Sequence, residues 1–175
     1  MIITMLMLLC ASGCKKEKIA EIDKLPAATQ TGVNTFGCLV NGKAWVAQTD
    51  CKFLCDAPFG VYYDNSNGGY LALTAKYQNA SQNANEEINI AFDSTNTKTQ
   101  FSYIKGVHSM GIRFLNFRGN TYNTVIDSTV NGSCILKLTR YDLSMGIISG
   151  TFNFTLWKPG FDTVFVTEGR FDKKL

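Results

Sequence analysis

A chain of 175 residues with 17 basic and 14 acidic side chains carries a net charge of only +3, and its cations are scattered apart from Lys15-Lys16-Glu17-Lys18 and Lys173-Lys174. Nucleic-acid binding needs a basic face with interleaved aromatics, so nucleic acid is excluded as a partner. One histidine among six cysteines leaves little for metal or imidazole chemistry, and the length beyond residue 30 suits one domain with a sizeable core.

In chain order, residues 1–9 are apolar apart from Thr4, about the span of a signal-peptide core and roughly half of a bilayer-crossing helix. Ala11-Ser12-Gly13-Cys14 follows and resembles the lipobox of bacterial lipoproteins, although Ala11 stands where leucine is usual and no basic residue precedes the apolar run. The resemblance implies that residues 1–13 are a signal peptide and that Cys14 is the acylated N-terminus of the mature chain, with membrane lipid as its partner. Two or three acyl chains make release from a bilayer negligible. Residues 15–32 are polar and of mixed charge, with Pro26 ahead of Ala-Ala-Thr-Gln-Thr-Gly. They are predicted to be a stalk, so that residues 14–32 form anchor and spacer with a reach of roughly 50 to 60 Å at about 3.3 Å per residue. The alternative is an amphipathic turn or two built on Ile19, Ile22 and Leu25.

Residues 33–175 hold no 3.6-residue apolar period over three turns, and their aromatics and glycines suit β-structure. Asn41-Gly42 is a strong hairpin signal, because both residues tolerate positive φ. A two-residue turn there pairs Val40 with Lys43, Cys38 with Trp45 and Phe36 with Ala47, which puts an apolar face inward. Residues 49–59 read as a loop or helical turn ending at Pro58. Strands are predicted over 60–63 and 70–77 around Asp64-Asn-Ser-Asn-Gly-Gly69. A calcium loop would need an oxygen ligand where Gly68 stands, so no metal is expected. Ile88, Ile90 and Phe92 alternate with polar residues over 87–93, and further strands are predicted over 100–104, 112–118, 121–126, 134–141, 146–157 and 162–171. Cys134, Leu136 and Leu138 share a face, as do Ile148, Gly150, Phe152, Phe154 and Leu156. The expectation is an all-β domain: an antiparallel meander of nine to eleven strands in sequential hairpins, folded into a β-sandwich or a flattened barrel.

Asn34-Thr-Phe-Gly-Cys-Leu-Val-Asn-Gly-Lys-Ala-Trp45, Gly146-Ile-Ile-Ser-Gly-Thr-Phe-Asn-Phe154 and Val166-Thr-Glu-Gly-Arg-Phe-Asp172 together resemble uncharacterised lipoproteins common in Bacteroidota. The likeness covers essentially the whole mature chain. It implies an outer-membrane lipoprotein with an all-β domain and brings no catalytic residues.

With Cys10 lost with the signal and Cys14 acylated, Cys38, Cys51, Cys55 and Cys134 remain as disulfide candidates in an oxidising compartment, with three possible full pairings. Zinc is disfavoured, because only Cys51 and Cys55 are close in sequence and His108 is the sole histidine. Cys38 and Cys134 both point inward, which fits a pair between them or two buried thiols. Catalysis by imidazole would have to use His108, beside Ser109 in a glycine-flanked loop. The carboxylates Asp50, Asp56, Asp64, Asp93, Asp127, Asp142 and Asp162 mostly flank turns, where backbone capping accounts for them. Two functions follow. The preferred one is a non-enzymatic binding or structural module on the cell envelope, without cofactor, which holds a small ligand, glycan or protein on an aromatic patch drawn from Trp45, Tyr62, Tyr63, Tyr70 or Trp157. The alternative is a hydrolase with His108 in a cleft beside a carboxylate.

Overall fold

The structure is a computed structural model that describes residues 19–51, 56–82, 84–95, 98–103, 105, 110–116 and 118–175. Cys14, Cys55, His108 and Ser109 lie outside the described residues. Among the described residues there are eleven strands: β1 (Thr35–Val40), β2 (Lys43–Val46), β3 (Phe59–Asp64), β4 (Tyr70–Asn79), β5 (Ala84–Asp93), β6 (Gln100–Tyr103), β7 (Met110–Leu115), β8 (Thr121–Asn123), β9 (Asn131–Asp142), β10 (Ile147–Trp157) and β11 (Val164–Lys174). Helix is confined there to single 3-10 turns, and no helix is long and apolar enough to cross a membrane.

Two antiparallel sheets form, a six-stranded one in the order β2-β1-β11-β10-β9-β6 and a five-stranded one in the order β3-β4-β5-β7-β8. Of the two expected closures the sandwich is the one adopted. The path is not a simple run of hairpins, because β1 pairs with β11 and β6 with β9, and the chain changes sheet after β2, β5, β6 and β8. Pairing the first strand with the last shelters both from edge-to-edge association.

The predicted alternation builds the core. Asn41 (φ 49°) and Gly42 (φ 77°) make the turn, Cys38 faces Trp45 and Val40 faces Lys43 in register, and the Ala47 amide donates to the Phe36 carbonyl. Ile88, Ile90 and Phe92 on β5 and Ile148, Phe152, Phe154 and Leu156 on β10 are buried as their alternation requires. Rings bridge the two sheets: Phe36 on β1 lies 5.2 Å from Phe59 on β3, and Phe92 on β5 lies 4.4 Å from Phe101 on β6. Such pairs add about 0.5 to 1.5 kcal/mol each beyond the area they bury.

On β11 the register slips by one residue against both β1 and β10, and Glu168 takes a positive φ of 54° at this bulge. Gly169 follows because nothing larger fits: a Cβ there would lie 2.4 Å from the Phe152 carbonyl oxygen. Residues 121–126 do not all form a strand, since β8 ends at Asn123, whose side-chain oxygen accepts from the Val125 and Ile126 amides and turns the chain. Ile126 is left 81% exposed.

Residues 21–33 are not a free stalk. They form a strap across the outer face of the six-stranded sheet. Glu21 accepts from the Ala44 amide on β2, and Pro26 lies on Gly37 of β1, where a Cβ would come within 2.6 Å of the proline ring. Asp172 on β11 then accepts from the Thr29 hydroxyl (2.6 Å) and from the Thr31 (2.9 Å) and Gly32 (2.8 Å) amides. Ser149 on β10 donates to the same carboxylate, and Arg140 on β9 donates to the Gln30 carbonyl. The stretch is polar because it answers polar groups on the sheet, a pattern that composition cannot separate from a solvated linker.

A disulfide between Cys38 and Cys134 does not form, and both are buried free thiols. β11 and β10 stand between β1 and β9, and three inter-strand spacings amount to about 14 Å. A disulfide cannot span more than about 7 Å between Cα atoms. Cys51 is disulfide-bonded.

Candidate ligand-binding cup

One end of the sandwich opens into a cup of about 550 Å³, within the usual range for ligand sites. The β1–β2 hairpin supplies one wall with Val40, Asn41, Lys43 and Ala44, and the facing ends of β4 and β5 supply Tyr77, Ala84 and Glu86. Asn116, Arg118 and Asn120, in the turn from β7 to β8, form the opposite wall with Asp162.

The floor is aromatic and fixed by hydrogen bonds. Trp45, only 4% exposed, donates its indole N–H to Glu86 Oε2 at 2.8 Å and stands edge-on to Phe36 at 5.9 Å. Tyr122 is buried and donates its hydroxyl to the Asp162 carbonyl at 2.5 Å. Burial, with the Asp162 charge adding to it, raises the Tyr122 pKa, so the hydroxyl remains a donor. Lys158 closes the back of this corner, donating to the Thr121 carbonyl at 2.6 Å and lying 4.1 Å from the centre of the Phe161 ring.

Two rim amides are locked by the backbone. Asn41 Oδ1 accepts from the Phe165 amide at 2.8 Å, while the Asn41 amide donates to the Phe165 carbonyl. Asn116 Oδ1 accepts from the Arg118 and Asn120 amides, both at 3.0 Å. Each side chain is therefore pre-oriented, with its amide nitrogen as the polar atom not used in these bonds. Lys43 and Arg118 offset Glu86 and Asp162, so the lining is neutral overall. A neutral wall of fixed donors and carboxylates over an aromatic floor can orient an uncharged polar ligand by hydrogen bonds.

No protein-family model, curated protein or solved structure matches the chain.

The aromatic candidates are dispersed. Trp45 is in the cup floor, and Tyr63 packs edge-on against Tyr141 at 6.0 Å. Tyr62, 62% exposed, pairs with Tyr70 on the outer face of the five-stranded sheet, whereas Trp157 is exposed at the end of β10 in the other sheet. Only Tyr62 and Tyr70 of the five are brought together. Of the carboxylates, Asp64, Asp127 and Asp142 cap turns, accepting from the Ser66, Thr129 and Met145 amides. Their pKa values are lowered, that of Asp64 chiefly by the Ser66 amide, that of Asp127 by the Thr129 hydroxyl and then its amide, and that of Asp142 by Arg140 and then the Met145 amide. Among the described residues no group of three or more His, Cys, Asp or Glu side chains is gathered to hold a metal. Asn116, Asn120, Glu86 and Arg118 were not singled out from the sequence. The signal was present only as turn chemistry at Asn116, whose side chain caps residues two and four positions on.

Proposed function

We propose that this protein is a lipoprotein of the cell envelope, anchored in the outer membrane through acylated Cys14, whose β-sandwich is a non-enzymatic binding module with the cup as its site. The cup carries this reading: its floor is rigid, its rim amides are pre-oriented and its volume suits a small ligand. The Ala-Ser-Gly-Cys motif and the resemblance to Bacteroidota lipoproteins support the anchor. Because residues 21–33 lie on the domain, only seven residue steps separate Cys14 from Glu21, a reach of at most roughly 23 Å at about 3.3 Å per residue. Glu21 binds Ala44, a residue of the cup wall, so the tether enters the fold beside the cup. On this reading the site is held near the bilayer surface.

Two experiments test the two halves. Cys14→Ser is expected to abolish fatty-acid incorporation and to move the protein out of the membrane fraction; undiminished labelling overturns the anchor. For the cup, Trp157→Phe leaves Trp45 as the sole tryptophan, so its emission reports occupancy. A library of small molecules and envelope extracts is expected to yield a saturable emission change that Ala84→Leu removes by filling the cup. No response to any ligand class overturns the binding reading.

A further inference from the structure

The charges lining the cup cancel, Lys43 and Arg118 against Glu86 and Asp162, so the wall has no field of one sign to favour an anion or a cation. Its hydrogen-bonding groups are of both kinds. With Oδ1 of Asn41 and of Asn116 engaged by backbone N–H groups, their amide nitrogens stand as fixed donors on opposite walls. Asp162 adds an acceptor, and Asn120 adds a donor and an acceptor. Hydroxyl groups, which donate and accept at once, match such a wall better than groups that do only one. Between the polar groups lie Val40, Ala44 and Ala84, small apolar surfaces that can meet C–H groups of a ligand. An extended peptide would most readily add to a free sheet edge. At β2, the edge strand in the cup wall, the Ala44 amide is already bound by Glu21 at 2.9 Å.

We propose, resting on the reading of the cup as a ligand site, that it takes a neutral, hydroxyl-rich ligand: a saccharide unit one or two sugar residues long. The pre-oriented amides of Asn41 and Asn116 grip ring substituents from two sides, and the apolar wall takes a sugar face between them. Size agrees, since about 550 Å³ holds a small ligand and not a long chain.

A glycan array bearing neutral, uronic-acid and sulfated oligosaccharides, probed with the labelled Cys14→Ser chain, tests this. Neutral sugars are expected to bind, with acidic counterparts at least about tenfold weaker. The hits are then titrated by Trp45 emission in the Trp157→Phe background. Asn41→Asp and Asn116→Asp keep the oxygen that holds each turn and remove the amide donor, so each is expected to weaken the sugar about tenfold without lowering the melting temperature. Binding to no neutral glycan, preference for acidic ones, or unchanged affinity in both variants overturns the saccharide assignment. If Trp45 instead responds to a peptide or a carboxylate and Ala84→Leu removes that response, the saccharide class fails while the cup stands as a binding site. If Trp45 responds to nothing, both fall.

Discussion

The two ends of the six-stranded sheet gather polar groups in opposite ways. At the end where Thr35 pairs with Asp172, the strap folds back and the chain satisfies its own carboxylate: Asp172 is 1% exposed and accepts from Thr29, Thr31, Gly32 and Ser149. At the end where Val40 and Val164 lie, Lys43, Asn120 and Asp162 line the open cup. Polar groups closed upon one another hold a structure together, and polar groups turned toward water are available to a ligand. On the proposed binding reading, the same sheet separates stability from recognition along the length of β1 and β11.

Breaking the closed end has the largest expected effect. Asp172→Ala leaves the Thr31 and Gly32 amides and the Ser149 hydroxyl without their acceptor, and a buried unsatisfied donor costs about 1 to 3 kcal/mol. We expect at least about 3 kcal/mol of lost stability in urea denaturation, with trypsin cutting at Lys24 as the strap lifts. Asn116→Asp at the open end keeps the oxygen that accepts from the Arg118 and Asn120 amides, so it is expected to leave stability within about 0.5 kcal/mol. Equal losses at both ends would erase the distinction.

Next in size are the glycines on which other groups lie. Gly169→Ala sets a methyl 2.4 Å from a main-chain oxygen and 2.5 Å from the Phe152 ring, neither free to move, and is expected to cost about 2 to 3 kcal/mol. Gly37→Ala meets only Pro26 of the strap, at 2.6 Å, and because the strap can rise the expected cost is nearer 1 kcal/mol. Thermal melts of the two variants side by side show whether strap and sheet differ in compliance.

Acid probes the closed end without mutation. Burial alone would raise the Asp172 pKa, but hydrogen bonds from Thr29, Ser149, Thr31 and Gly32 outweigh it and lower the value from 3.8 to about 2. A depressed folded-state pKa gives stability that is fully present above the unfolded value and lost as pH falls through the folded one. Between pH 4 and pH 2, Asp172 is therefore expected to account for about 2 kcal/mol of lost stability. Asp172→Asn should flatten that part of the profile; an unchanged slope would place the acid sensitivity elsewhere.

How much of this was legible in the sequence depends on the range of the interaction. The Asn41-Gly42 hairpin and the inward faces of β5, β9 and β10 were legible because turn chemistry and period-two alternation act between near neighbours. The strap was not, because its partners Asp172, Ser149 and Arg140 are more than a hundred residues away and Thr-Gln-Thr-Gly reads alike on a sheet or in water. The cup was hidden for the same reason: Trp45 reads as core, which it is, and nothing local tells that Glu86 meets its indole. The β8 boundary failed on a local competition, in which the Asn123 side chain captured the backbone ahead of Val125 and Ile126.

The smallest expected effect concerns the thiols. Burial pushes the Cys134 thiol up to about 12, and burial together with the Glu86 charge pushes Cys38 higher still, so neither forms a reactive thiolate in the folded protein. Cys51 is disulfide-bonded, and we propose Cys55, four positions on in the sequence, as its partner. A five-residue loop restricts the unfolded chain little, so its closure adds at most about 2 kcal/mol by the chain-entropy estimate. That is less than a bond between distant strands would supply. For an exported chain carrying both Cys10→Ser and Cys14→Ser we expect no alkylation when folded, two thiols reactive in denaturant before reductant and four after it. Reductant should lower the melting temperature by only a few degrees. Four reactive thiols before reductant would remove the Cys51 bond, and alkylation of the folded chain would mean that the core around Cys38 or Cys134 opens in the native state.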